Sequence, residues 1–67
     1  MLSWEDSFAI ARMLKEQHPE AVLEAVSLEM VYRWVLDMPD FEDDPELAND
    51  HILEAIYLEW FEEANPI

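Results

Sequence analysis

The chain contains no glycine, and its four prolines (Pro19, Pro39, Pro45 and Pro66) supply the punctuation along it. The segments between them carry helical spacing. A first helix is expected from about Trp4 to Gln17, with Ser3 and Asp6 as an S-x-x-D start signal. Pro19 ends it by pushing His18 out of the α region. Ser7, Ile10, Ala11, Leu14 and His18 share one face of this helix, and Phe8 lies about 100° off that stripe, partly exposed.

The middle of the chain admits two readings. Pro19 to Val26 has helix-forming composition and can begin a long helix running through Met38. Alternatively Ser27 is an N-cap and a shorter helix begins near Leu28. In the shorter version Val31, Trp34, Val35 and Met38 point inward, and Tyr32, Arg33 and Leu36 outward. For the third helix Asp44 is the expected N-cap, and Pro45 sits at N1, where its missing N–H costs nothing. Glu46 suits the positive end of that helix. Asn49, Ile52, Leu53, Ile56 and Trp60 are expected to face the core, with Asn49 bonded to loop backbone.

With 67 residues there is room for one domain. A chain this short buries only roughly 60% of its unfolded surface. Three Trp, three Phe and two Tyr partly offset that, because each ring covers a large area. The hydrophobic fraction of 52% is too high for a disordered acidic tail, although the formal charge is −14. The absence of cysteine removes disulfides, thiolate catalysis and Cys metal sites. No signal peptide or membrane span is evident, so a cytoplasmic location is expected.

Seventeen acidic residues against three basic ones repel phosphate backbones and anionic lipid, which argues against nucleic acid and membrane as partners. The stretch from Asp40 to Trp60 concentrates the acids on a loop and the helix after it. Asp37, Asp40, Glu42, Asp43, Asp44 and Glu46 are candidate ligands for a hard cation. No EF-hand spacing or turn glycine is present, so binding without a fixed cage is expected to be weak. The alternative is a solvated loop that caps a helix, with Asp44 as the cap.

Glu46, Asp50 and Glu54 recur every fourth residue, where like charges cost about 0.2–0.5 kcal/mol per pair. That ridge, with Asp43 and Asp44 before it and Tyr57 and Phe61 at its border, suits docking to a basic protein surface. The bland alternative for the two aromatics is core packing, and the same is expected of Trp4, Trp34 and Trp60. Catalysis lacks a nucleophile–base pair: Ser3, Ser7 and Ser27 have no sequence context linking them to His18 or His51. No enzyme is expected.

Trp4, Asp6 and Ser7, then Pro19 and Trp34, then the run Asp40-Phe41-x-Asp43-Asp44-Pro45, Asn49 and Ile52-Leu53-Glu54-Ala55-Ile56-x-x-x-Trp60 resemble the IscX family. These are small acidic accessory proteins of bacterial iron–sulfur cluster assembly. The resemblance spans essentially the whole chain. It implies a mainly α, three-helix modified winged-helix fold with little or no β wing, and a break before about Leu28. It also implies a regulatory protein, monomeric, that binds the cysteine desulfurase of the pathway in competition with frataxin. Weak binding of ferrous iron by surface carboxylates is implied too, with His51 as a candidate nitrogen ligand. The sequence departs from the family at Glu20 to Ala25, where the family tends towards a proline-containing turn, and this leaves the linker geometry open. The reading from another class is an acidic decoy that mimics nucleic acid, or a structural interaction module for a different basic protein. A helix-turn-helix architecture would ordinarily suggest DNA reading, but Glu46, Asp50 and Glu54 on the groove-facing helix oppose it.

Overall fold

In the computed structural model, which describes residues 1–65, three α-helices carry the architecture. Pro66 lies outside the described residues. The helices are α1 (Ser7–Gln17), α2 (Leu28–Leu36) and α3 (Asp50–Ala64), with short 3-10 turns at Leu23–Ala25 and Pro45–Leu47. Among the described residues the only β pairing is a parallel bridge between Leu2 and Phe41. The mainly α, three-helix expectation holds. Every described residue keeps a negative φ, as suits a chain with no glycine to relieve left-handed turns.

The longest helix, α3, is central: it packs along α1 and, less extensively, against α2. Ile10, Ala11 and Leu14 of α1, Val31 and Val35 of α2, and Leu53, Ile56 and Trp60 of α3 are buried together. The expected stripe of α1 is therefore the buried one, with Ser7 and His18 half-buried at its ends and Phe8 52% exposed. Trp4 and Trp60 are in the core, and half-buried Trp34 meets Trp60 edge-on at 5.9 Å and stacks on His18 at 4.1 Å between ring centroids.

Two expectations about helix starts need correction, each for a tertiary reason. The first helix begins at Ser7, not Trp4. The Ser3–Asp6 signal forms, since the Asp6 carboxylate accepts from the Ser3 N–H at 2.9 Å. Trp4 is nonetheless held outside the helix: its backbone N–H donates to Asp43 at 3.1 Å and its indole N–H to the Asp44 carbonyl at 2.8 Å. Burial of the indole against Phe41 and Tyr32 competes successfully with one more helical turn.

The middle follows the shorter reading. Ser27 caps α2 by accepting from the Met30 N–H at 3.2 Å. The Glu20–Val26 linker resolves into extended residues at Val22 and Val26 flanking the 3-10 turn. Leu23 from that turn enters the core, and its carbonyl accepts the Tyr57 hydroxyl at 2.8 Å. Val31, Val35 and Met38 point inward as expected, while Tyr32 and Leu36, expected outward, are half-buried. Tyr32 is covered because its ring stacks on Trp4 with an interplanar angle of 3°.

The third helix begins at Asp50 rather than Pro45. Asp44 caps only the 3-10 turn, through the Glu46 N–H at 2.9 Å. Asn49, expected to turn inward, is exposed and caps α3 by accepting from the Ile52 N–H at 2.9 Å. On a continuous helix Asn49 would share the stripe of Leu53, Ile56 and Trp60 and bury its amide among them. Breaking the helix there avoids a buried polar group without a partner and converts the residue into a favourable cap.

Candidate functional site

The acidic residues singled out from the sequence fall into two groups with different jobs. The first belongs to the loop that closes against the N-terminus. Leu2 donates to the Asp40 carbonyl at 2.8 Å and accepts from the Glu42 N–H at 2.8 Å, so the loop backbone is strapped to the chain start. Half-buried Asp43 uses both carboxylate oxygens internally, one for the Trp4 N–H and one for the Asp44 N–H at 2.8 Å. Asp44 uses one oxygen as a cap. These two side chains organise the loop. Asp37, at the C-terminal end of α2, and Asp40 and Glu42 are exposed.

The second group is Glu46, Asp50 and Glu54, all exposed. Glu46 sits on the 3-10 turn, not on α3, so the expected three-residue ridge on one helix is reduced to Asp50 and Glu54. Among the described residues none of these three carboxylates accepts a hydrogen bond or pairs with a cation. The three basic side chains are engaged elsewhere. Arg33 meets Glu29 at 3.9 Å, Lys15 donates to the Glu63 carbonyl at 3.0 Å, and Arg12 lies over Phe8 at 5.9 Å. The Arg33–Glu29 pair is highly exposed on both sides, a geometry worth little.

Tyr57 and Phe61 continue the same flank of α3, with ring centroids 6.3 Å apart. Tyr57 is half-buried and fixed by its bond to Leu23, whereas Phe61 keeps 37% of its surface exposed. Beside Tyr57 an open groove of about 460 Å³ runs between α3 and the start of α2, lined by Val26, Ser27, Leu28, Glu54, Tyr57 and Leu58. Val26, Leu28 and Leu58 were not singled out from the sequence. Leu58 gave the one available signal, an aliphatic residue off the apolar stripe of its helix.

As a metal centre the loop is not preorganised. Among the described residues no group of three or more His, Asp or Glu side chains is gathered to hold an ion. Of the six expected carboxylate ligands, Asp43 and Asp44 commit oxygens to backbone N–H groups; His51, the candidate nitrogen ligand, stands exposed in the first turn of α3. As for nucleophiles, Ser3 is turned to Asp6, Ser27 is a cap, and His18 is stacked on Trp34.

Residues 2–65 match the family model described as iron–sulphur cluster assembly. The chain belongs to that family. A relative in Pseudomonas aeruginosa, itself an uncharacterized protein, is 40% identical over 62 residues, covering 92% of this chain and 94% of the relative. Family membership ties this small acidic domain to the iron–sulfur assembly machinery and points to an accessory rather than a catalytic role. Among the described residues no helix is long and apolar enough to cross a membrane.

Proposed function

We propose that this protein is an IscX-like cytoplasmic accessory factor that docks on the cysteine desulfurase of iron–sulfur cluster assembly. It does so without catalysing a reaction itself. The docking face is the exposed acidic surface formed by Glu46, Asp50 and Glu54, with the loop acids Asp43 and Asp44 beside it and Tyr57 and Phe61 at its border. In this reading α2 and α3 are the helix pair of a modified winged-helix domain. The observation that carries the proposal is that Glu46, Asp50 and Glu54 stay exposed and unneutralised in a member of an iron–sulfur assembly family. Acids that repel one another and perform no internal task are explained by an electropositive partner. Complementary potential of this kind governs partner choice and association rate.

Ferrous iron enters the proposal only as a loosely held ion of exposed loop carboxylates such as Asp40 and Glu42, because no cage is built beforehand.

The test is a triple reversal, Glu46→Lys with Asp50→Lys and Glu54→Lys, which spares the structural Asp43. Retention on immobilised cysteine desulfurase is expected to be lost while the circular dichroism spectrum stays helical. Wild-type docking should also weaken steeply as salt rises through about 0.1 M, where exposed charges are screened beyond about 10 Å. Undiminished retention of the triple variant would show that this face is not the docking surface. Capture of a different basic protein in place of the desulfurase would favour the acidic decoy instead.

A further inference from the structure

The groove between α3 and the start of α2 combines three properties. Its floor and walls are apolar, contributed by Val26, Leu28, Tyr57 and Leu58. Leu58 leaves 54% of its surface in water, although an aliphatic side chain gains roughly 25 cal/mol for each Å² it buries. One wall is held in place, since the Tyr57 hydroxyl is tied to the Leu23 carbonyl at 2.8 Å across the helix–turn junction. The groove also carries a negative charge of its own. Glu54 stands in the lining itself, and exposed Glu24 and Glu29 flank the Val26–Leu28 segment in sequence. Among the described residues no Lys or Arg lines the groove, and Arg33 meets Glu29 at 3.9 Å.

From this we infer that the groove between α3 and the Val26–Leu28 segment receives one aliphatic side chain of the partner protein, presented between flanking Lys or Arg residues. The assignment of that partner rests on the docking reading above. The geometry of the groove stands independently of it. A purely basic surface would leave Leu58 and Val26 unburied. A purely apolar segment would leave Glu54 facing a desolvated rim without a counter-charge, which is unfavourable. An aliphatic residue bracketed by cations satisfies both, in the manner of interface hot spots that pair an apolar anchor in a pocket with a charged surround. The volume of about 460 Å³ accommodates a leucine-sized side chain with the stems of its neighbours laid along the walls.

The test uses the full chain and a short peptide with one leucine between two pairs of arginines. In NMR titration this peptide is expected to shift the methyl signals of Val26, Leu28 and Leu58. Replacing the peptide leucine with serine should weaken binding about tenfold, the loss expected when one such side chain is no longer buried. Replacing its arginines with glutamates should abolish binding. Leu58→Ser, at an exposed position that leaves the fold intact, should weaken both the peptide and the desulfurase by about threefold to tenfold. Leu47→Ser, an equally exposed leucine outside the groove, should change neither.

Equal affinity for the leucine and serine peptides, or shifts confined to Asp50 and Glu46, would overturn the assignment. Self-association that disappears in Leu58→Ser would also overturn it, by showing that a second copy fills the groove. If the wild-type chain fails to retain the desulfurase, the docking reading falls, and the peptide titration alone then decides whether the groove takes a cation-flanked aliphatic residue.

Discussion

Asp43 and Asp50 belong to one acidic stretch of the sequence, and the fold uses them in opposite ways. Asp43 faces the N-terminal segment and satisfies two backbone N–H groups, while the Asp50 side chain, seven residues later, serves nothing inside the molecule among the described residues. The same division separates Asp44, a cap, from Glu54 on the exposed flank of α3. Acidity that looks uniform along the chain is thus two populations. One holds a loop in shape, and the other is left for something outside. A reversal experiment aimed at the first population would report unfolding, whereas one aimed at the second reports binding.

The largest effect that bears on this division is expected at Trp4, the residue onto which the loop folds. Trp4→Ala should destabilise by about 3–5 kcal/mol, since the side chain is 3% exposed and the indole is both packed and hydrogen-bonded. A domain of this size has a stability on the order of 5 kcal/mol, so about 0–2 kcal/mol would remain and the urea midpoint should fall steeply. Trp4→Phe keeps most of the packing and removes the indole donor to the Asp44 carbonyl, and should cost about 1 kcal/mol. If Trp4→Ala unfolds at the wild-type midpoint, the loop does not depend on this anchor and its acids have no structural role.

A middle-sized effect separates the two populations directly. Asp43→Ala leaves the Trp4 and Asp44 N–H groups without their acceptor and should cost about 1–3 kcal/mol in urea unfolding. Partial exposure of the site places it towards the lower end. Docking of the folded fraction should change less than in the triple reversal. A variant of full stability with lost docking would move Asp43 into the other population.

The smallest effect is expected at Glu54. Glu54→Gln removes its repulsion with Asp50 one turn earlier, for a gain of about 0.2–0.5 kcal/mol. A clear loss of stability would mean that Glu54 has an internal partner and is not an idle surface charge.

The same residues show how far local signals carry. The apolar stripes of all three helices were legible because burial follows helical spacing: Ile10, Ala11 and Leu14, then Val31 and Val35, then Leu53, Ile56 and Trp60 are buried as expected. Ser27 as a cap was legible as one of two readings. The helix starts at Trp4 and Pro45 were not, because each has a good local start signal that packing overrides, through the burial of Trp4 in one case and the exclusion of the Asn49 amide from the core in the other. Nothing local distinguishes Asp44, which caps a three-residue turn, from Asn49, which caps α3. The groove was hidden for a different reason, since Val26, Leu28 and Leu58 meet only when the start of α2 is laid beside α3.

By itself the sequence determined that three amphipathic helices form around an aromatic-rich core, that the surface is strongly negative, and that the chain resembles one family along its length. These properties depend on spacing and composition, which no tertiary contact can alter. The tertiary structure alone decided where each helix begins, which carboxylates are consumed internally and which face outward, and that an apolar groove opens beside the outward ones. Competing caps differ by only about 1 kcal/mol. Burying Trp4 against Phe41, or keeping the Asn49 amide out of the core, is worth more than that, so the choice among equal local signals passed to packing.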